Sequence, residues 1–146
     1  MKKTILAIII PLAVILFSTM GLLITKNTTN RLKKEYNSTY EYYLEKEIYG
    51  TELTSLINKT VNENEKNKVE KDENNYFKDN GENSIRIEVK ILNSEKEYIT
   101  YPMEEMYNKD ITRFVQYFNL IKFKCTKIEY HKNSGTVSKL LFEEVE

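Results

Sequence analysis

Ser84–Leu92 reads SIRIEVKIL, with Ile85, Ile87, Val89 and Ile91 alternating against Arg86, Glu88 and Lys90. A period of two places every apolar side chain on one face and every charge on the other, so the stretch predicts a half-buried β-strand. Downstream, Glu97 to Tyr101 predicts a second strand, ended by Pro102. Met103, Met106, Tyr107, Ile111, Phe114, Val115 and Phe118 then recur at helical spacing, which predicts a short helix between Met103 and Phe118. Leu120 to His131 returns to alternation through Ile121, Phe123 and Cys125, then shifts phase near Lys127 before Ile128 and Tyr130. A β-bulge reconciles the two phases. Asn133-Ser134-Gly135 marks a turn before Thr136 to Glu143, so the last two strands are expected to pair as an antiparallel hairpin.

Working back from Ser84, residues 62–83 are Asn, Glu, Lys and Asp broken by Val69, Tyr76 and Phe77. Too polar to bury a face, the stretch is expected to be a solvated loop with a short extended piece at Tyr76 and Phe77. Before it, Leu32, Tyr36, Tyr40, Tyr43, Leu44, Ile48, Leu53, Leu56, Ile57 and Val61 recur every three to five residues. That stripe predicts an amphipathic helix over residues 27–61, with its tyrosines as the edge of a core. Gly50 interrupts the stripe and is expected to mark a bend or a close approach.

Further upstream, Ile5–Ile24 reads ILAIIIPLAVILFSTMGLLI, twenty residues without a charge, between Lys2, Lys3 and Lys26. At 1.5 Å per residue a helix of this length reaches about 30 Å, the thickness of a hydrocarbon core. Pro11 is tolerated inside such a span. A cleaved signal peptide is the rival reading, but the apolar run is longer than usual for one and no small-x-small site follows between Ser18 and Lys26. The expectation is an uncleaved single-pass anchor, residues 1–26, ahead of an α+β domain, residues 27–146, in which the amphipathic helix packs on a small antiparallel sheet over residues 84–146. Basic residues crowd both flanks, Lys2 and Lys3 against Lys26, Arg31, Lys33 and Lys34, so the charge rule alone leaves orientation open. A short N-terminal tail retained in the cytoplasm places the large domain outside it, at the cell membrane.

The chain carries 22 basic and 22 acidic residues, and with three lysines at the anchor the domain is mildly acidic. No nucleic-acid partner is expected from that balance. Cys125 is the single cysteine, which excludes an internal disulfide, and its absence from the anchor's end excludes a lipoprotein linkage. His131 is the single histidine, so a zinc site is not expected. On a regular strand Cys125 and His131 would stand about 20 Å apart, which separates a thiol from its base. Asp72, Glu73 and Asp79 lack the spacing of a calcium loop. The pairs Glu104 and Glu105, and Glu143 and Glu144, read as solvated faces. The sequons at Asn27, Asn37 and Asn58 matter only in a host that glycosylates them. Phosphate-cradling and nucleophile-elbow motifs are missing. The residues therefore call for a non-enzymatic protein with no catalytic, cofactor-binding or metal-ligating residues.

The basic start at Lys2 and Lys3, the apolar helix and the amphipathic helix before an antiparallel sheet resemble the layout of type IV pilins and pseudopilins. Thr4 stands where those proteins have a processing glycine, and no acid lies within Ile5–Ile24 where they carry a glutamate. Ile48–Lys59 (IYGTELTSLINK) and Ile121–His131 (IKFKCTKIEYH) are also similar to segments of uncharacterised small single-pass membrane proteins of low-GC bacteria. The resemblance implies the lipid bilayer as one partner, and self-association or a protein partner through the N-terminal helix. It implies envelope assembly as the function, with an anchored extracytoplasmic sensor or binding domain as the alternative.

Overall fold

The structure is a computed structural model that describes residues 2–108 and 111–145, without the side chains of residues 2–10, 13, 108 and 111–113. The chain divides into two units, Met1–Glu35 and Tyr36–Glu146. The first consists of most of helix α1, Lys2–Glu41, with Pro11 inside it. Leu12, Val14, Ile15, Leu16, Phe17, Met20, Leu22, Leu23 and Ile24 are all exposed. Its hydroxyls bond back to their own helix: Ser18 to Val14 O, Thr19 to Leu16 O and Thr25 to Gly21 O. Among the described residues no helix is long and apolar enough to cross a membrane. Within the expected span Ile5–Ile24, the side chains of residues 5–10 and 13 lie outside the described ones.

The second unit is α+β. Its elements are the last turns of α1, then β1 (Glu47–Tyr49), α2 (Gly50–Lys66), β2 (Arg86–Leu92), β3 (Tyr98–Pro102), α3 (Met103–Asn108), α4 (Ile111–Phe118), β4 (Lys122–Tyr130) and β5 (Val137–Glu144). The strands form one five-stranded sheet in the order β1-β4-β5-β2-β3. β2 and β4 are the strands that alternation predicted, the pieces expected at Glu97–Tyr101 and Thr136–Glu143 are β3 and β5, and β4 and β5 pair antiparallel as expected. The register slips between Cys125 and Lys127, which is the bulge that the phase change demanded. The sheet is mixed, however, not antiparallel, because β5 inserts beside β2 and runs parallel to it, with Ile87 opposite Leu140 and Val89 opposite Phe142.

The single amphipathic helix expected over residues 27–61 is two helices with a strand between them. After Glu41 the chain tightens into turns, Tyr43 N–H to Tyr40 O and Leu44 N–H to Glu41 O, and Glu45 adopts a positive φ of 61°. Its backbone groups then pair with β4: Glu45 N–H donates to Cys125 O, and Ile48 lies opposite Phe123. The edge of β4 takes up the backbone of Glu47–Tyr49 and the groups just before it, and Ile48 is buried there. Gly50 fulfils the close-approach reading, for its amide donates to Ile121 O at 2.9 Å where α2 begins.

α2, α3 and α4 pack over one face of the sheet. Leu53, Leu56, Ile57 and Val61 from α2 meet Ile85, Ile87, Val89, Phe123, Leu140 and Phe142, all at most 2% exposed. Phe114 stacks on Phe118 with ring centroids 4.8 Å apart, and both lie against Phe123. Alternate residues of the strands carry charge: Lys139 bridges Glu88 at 3.5 Å and Glu129 at 3.3 Å, and Lys90 meets Glu143 at 2.6 Å. The expected solvated loop at 62–83 is shorter than its composition suggests. Its first residues extend α2 to Lys66, and Val69 and Phe77 turn into the core. In place of one helix at Met103–Phe118, α3 and α4 flank residues 109 and 110, which lie outside the described residues.

Candidate functional site

The segment from Asp72 to Ile85 is held by side chains from three directions, and two open grooves border it. One, of about 310 Å³, is lined by Asp72, Tyr76, Asp79, Arg86, Glu88 and Glu104. The other, of about 390 Å³, is lined by Asp79, Arg86, Glu129, His131, Lys132 and Ser138. Asp79 and Arg86 are common to both.

Local chain chemistry shapes the segment. Asp72 Oδ1 accepts from the amides of Asn74 and Tyr76, and Asn80 Oδ1 from those of Glu82, Asn83 and Ser84, short polar side chains that take the place of a backbone ladder. Gly81, at φ +73°, allows the turn and donates to Asp79 Oδ1 at 2.8 Å. That bond, together with the charges of His131 and Arg86, holds the Asp79 carboxyl below the usual range. From the turn between β4 and β5, Ser134 Oγ and Thr136 Oγ1 both donate to Glu82 O. From α2, Asn64 clamps the start of β2: its amide donates to Ile85 O at 2.7 Å and its oxygen accepts from Ile85 N–H at 2.9 Å.

Glu104 corrects the reading of a solvated carboxylate pair. It is 5% exposed, and its Oε1 accepts from the amide of Phe77 at 3.1 Å. Burial pushes its pKa up, against the opposing pull of that amide and of Arg86. Its neighbour Glu105 accepts from the Tyr76 hydroxyl at 3.0 Å. Glu143 and Glu144 are likewise engaged, the first with Lys90 and the second with the Leu92 amide at 2.9 Å.

Cys125 and His131 are not brought together as nucleophile and base. Cys125 is fully buried on the core side of β4, and its thiol donates to Lys127 O at 3.7 Å. Burial pushes the thiol up to about 11. The thiolate fraction at pH 8 is then on the order of 0.1%, against roughly a quarter for a free cysteine. Labelling of the folded chain with a soluble disulfide reagent at pH 8 is therefore expected to be at least about a hundredfold slower than in urea. A native rate within tenfold of the denatured one contradicts the burial. His131 faces Ser84 O and Asp79 instead.

Among the described residues no three His, Cys, Asp or Glu side chains are grouped to hold a metal ion. The groove beside Glu104 sets four carboxylates against Lys78 and Arg86, and the groove beside His131 sets Asp79 and Glu129 against Arg86 and Lys132. What the arrangement does is fix a polar surface segment with side chains that sequence reasoning read as solvent-facing. The Asp79-Asn80-Gly81 turn was the signal available for it. The chain matches no family model, no curated protein and no solved structure.

Proposed function

We propose that this chain is a single-pass, membrane-anchored, non-enzymatic protein whose Tyr36–Glu146 unit acts by binding a protein partner outside the cytoplasm. The observation that carries this reading is the contrast between the two units. One closes a core of its own around Phe123, Leu140 and Phe142. The other leaves nine large apolar side chains between Leu12 and Ile24 exposed on a helix. A helix apolar all round is at home in lipid. The back-bonded hydroxyls of Ser18, Thr19 and Thr25 suit a medium that offers no water. A pilin-like assembly role is the second reading, favoured by the 40-residue length of α1.

Two measurements test the proposal. Carbonate extraction of membranes is expected to leave the chain in the pellet, and its release would remove the anchor. For orientation, Glu73→Cys in a Cys125→Ser background puts one thiol on the exposed segment. An impermeant maleimide is expected to label it on intact cells, whereas labelling only after lysis places the domain in the cytoplasm. Exchange of residues 1–26 for an unrelated apolar helix separates the two roles. Partner binding survives the exchange, but assembly through α1 does not.

A further inference from the structure

The sheet ends in two edges of different character. β1 is three residues long and bordered by charge, with Lys46 meeting Glu52 at 3.7 Å and Glu47 meeting Lys122 at 3.1 Å. Short, charged edges discourage further pairing. β3, at the other end, reads Tyr98-Ile99-Thr100-Tyr101-Pro102. It carries aromatic and β-branched residues, no charge, an unbroken register with β2 and no proline before its last position. Tyr98 is 50% and Ile99 41% exposed, and Thr100 is exposed as well. Among the described residues no strand lies on its outer side. An edge of this composition is a template for another strand.

The backbone fixes what that edge offers. Asn93 N–H donates to Glu97 O at 2.9 Å, which makes Asn93 and Glu97 a bonded pair at the turn. Antiparallel pairs alternate between bonded and non-bonded, so Ile91–Ile99 and Val89–Tyr101 are the bonded pairs beyond it. Tyr98 and Thr100 fall between them and turn their amide and carbonyl groups away from β2. Pro102, which has no N–H to give, takes the next outward position. The open groups are therefore those of Tyr98 and Thr100, placed evenly about Ile99.

We infer that β3 is a self-association edge, which pairs antiparallel with β3 of a second copy of this chain about a twofold axis at Ile99. Tyr98 then lies opposite Thr100 of the copy, the amide of each meets the carbonyl of the other, and the twofold repeats the exchange. Centring on Thr100 would set Tyr98 against Pro102, whose missing N–H leaves the Tyr98 carbonyl unanswered. Centring on Tyr98 would set Thr100 against Lys96, whose φ of 61° takes it out of the extended conformation. With the axis at Ile99, that side chain faces its own copy and loses its exposure. Charge agrees with the same register. Lys96 reaches the end of the copy's β3, where Glu88 stands beside Pro102 and shares Lys139 with Glu129. No like charges oppose one another between Lys96 and Pro102. A second copy thus answers each open group of the edge. A stable dimer buries about 1,200 Å² or more, so an edge this short pairs weakly in dilute solution and better where chains are concentrated. Pairing needs neither the anchor nor the partner proposed above.

The test uses the full chain with Cys125→Ser, concentrated in mild detergent, with one cysteine introduced at a time and a mild oxidant. Ile99→Cys is expected to give a disulfide-linked dimer, because a non-bonded pair brings Cα atoms to about 4.5 Å, within disulfide range. Tyr98→Cys and Thr100→Cys would stand roughly 8 Å from their own copies, beyond that range. Each is expected to give at least about tenfold less dimer. Adding Thr100→Pro to Ile99→Cys is expected to remove the dimer while leaving β2 paired, since the Thr100 amide faces away from β2. Equal dimer at all three positions, or a dimer that survives Thr100→Pro, overturns the pairing. Absence of dimer with Ile99→Cys also overturns it and leaves the edge to a different protein. Should the variants not fold, amide exchange in the unmodified chain decides: the Tyr98 and Thr100 amides are expected to slow as chain concentration rises, and rates independent of concentration overturn the pairing.

Discussion

Gly50→Ala is expected to destabilise the domain by about 3 kcal/mol, the opposite of what helix propensity alone says. Gly50 opens α2, where alanine would ordinarily gain up to about 1 kcal/mol. A methyl there would sit 2.0 Å from Phe118 O and 2.7 Å from Phe118 C. Those are backbone atoms, so no rotamer change relieves the clash. The end of α4 or the start of α2 must move instead. Neither is free, since Gly50 N–H donates to Ile121 O and Ile121 N–H to Phe118 O. Overpacking of this kind costs about 1–3 kcal/mol and sometimes more, a large share of a small domain's stability. Urea unfolding followed by circular dichroism measures it, with Gly21→Ala as the control, because nothing lies within 4 Å of a Cβ there. A Gly50→Ala midpoint equal to the parent's shows that α4 does not pack against α2 at this point.

The parts of the fold legible in the sequence are those fixed by local periodicity. Alternation at Ile85, Ile87 and Val89 predicted a strand with one buried face, and all three are buried. The phase change after Cys125 located a bulge to within two residues. β1 was hidden because Tyr43, Ile48 and Leu53 fit a helical stripe equally well. What chose the strand was the free edge of β4, distant in sequence. The parallel pairing of β2 with β5 was hidden for a related reason, since alternation gives a strand its faces but not its neighbour. The polar framework was least legible. In a chain crowded with asparagine, nothing in composition separates Asn37 from its exposed neighbours. Yet its amide donates to Gly135 O and its oxygen accepts from Val137 N–H, both at 3.0 Å. That sequon is a clasp between α1 and the β4–β5 turn. Glu104 and His131 were likewise read by residue type, and their roles came from what folded over them.

Asn64→Asp tests the same framework at its driest point, and it is expected to cost about 3–4 kcal/mol at pH 7. Asn64 is fully buried, and it serves Ile85 as a strand would, one donor and one acceptor to a single residue's carbonyl and amide. Aspartate keeps the acceptor but turns a second oxygen toward Ile85 O, so the substitution removes a bond and sets two acceptors 2.7 Å apart. It also places a charge where water does not reach, which costs several kcal/mol unless the group takes up a proton. A protonated carboxyl can donate to Ile85 O, so the folded pKa of this aspartate is raised. The variant's deficit, relative to the parent at each pH, should therefore shrink as pH falls through that value and be smaller at pH 4.5 than at pH 7. Asn64→Leu supplies the contrast: it strands both groups of Ile85, at about 1–3 kcal/mol each, with no recovery in acid. Matched urea titrations at the two pH values separate a missing proton from missing bonds. If Asn64→Asp costs less than about 1 kcal/mol at pH 7, water reaches Ile85 and α2 does not seal the start of β2. Ser134 and Thr136 would then be left to hold the segment at Glu82 without a clamp at Ile85.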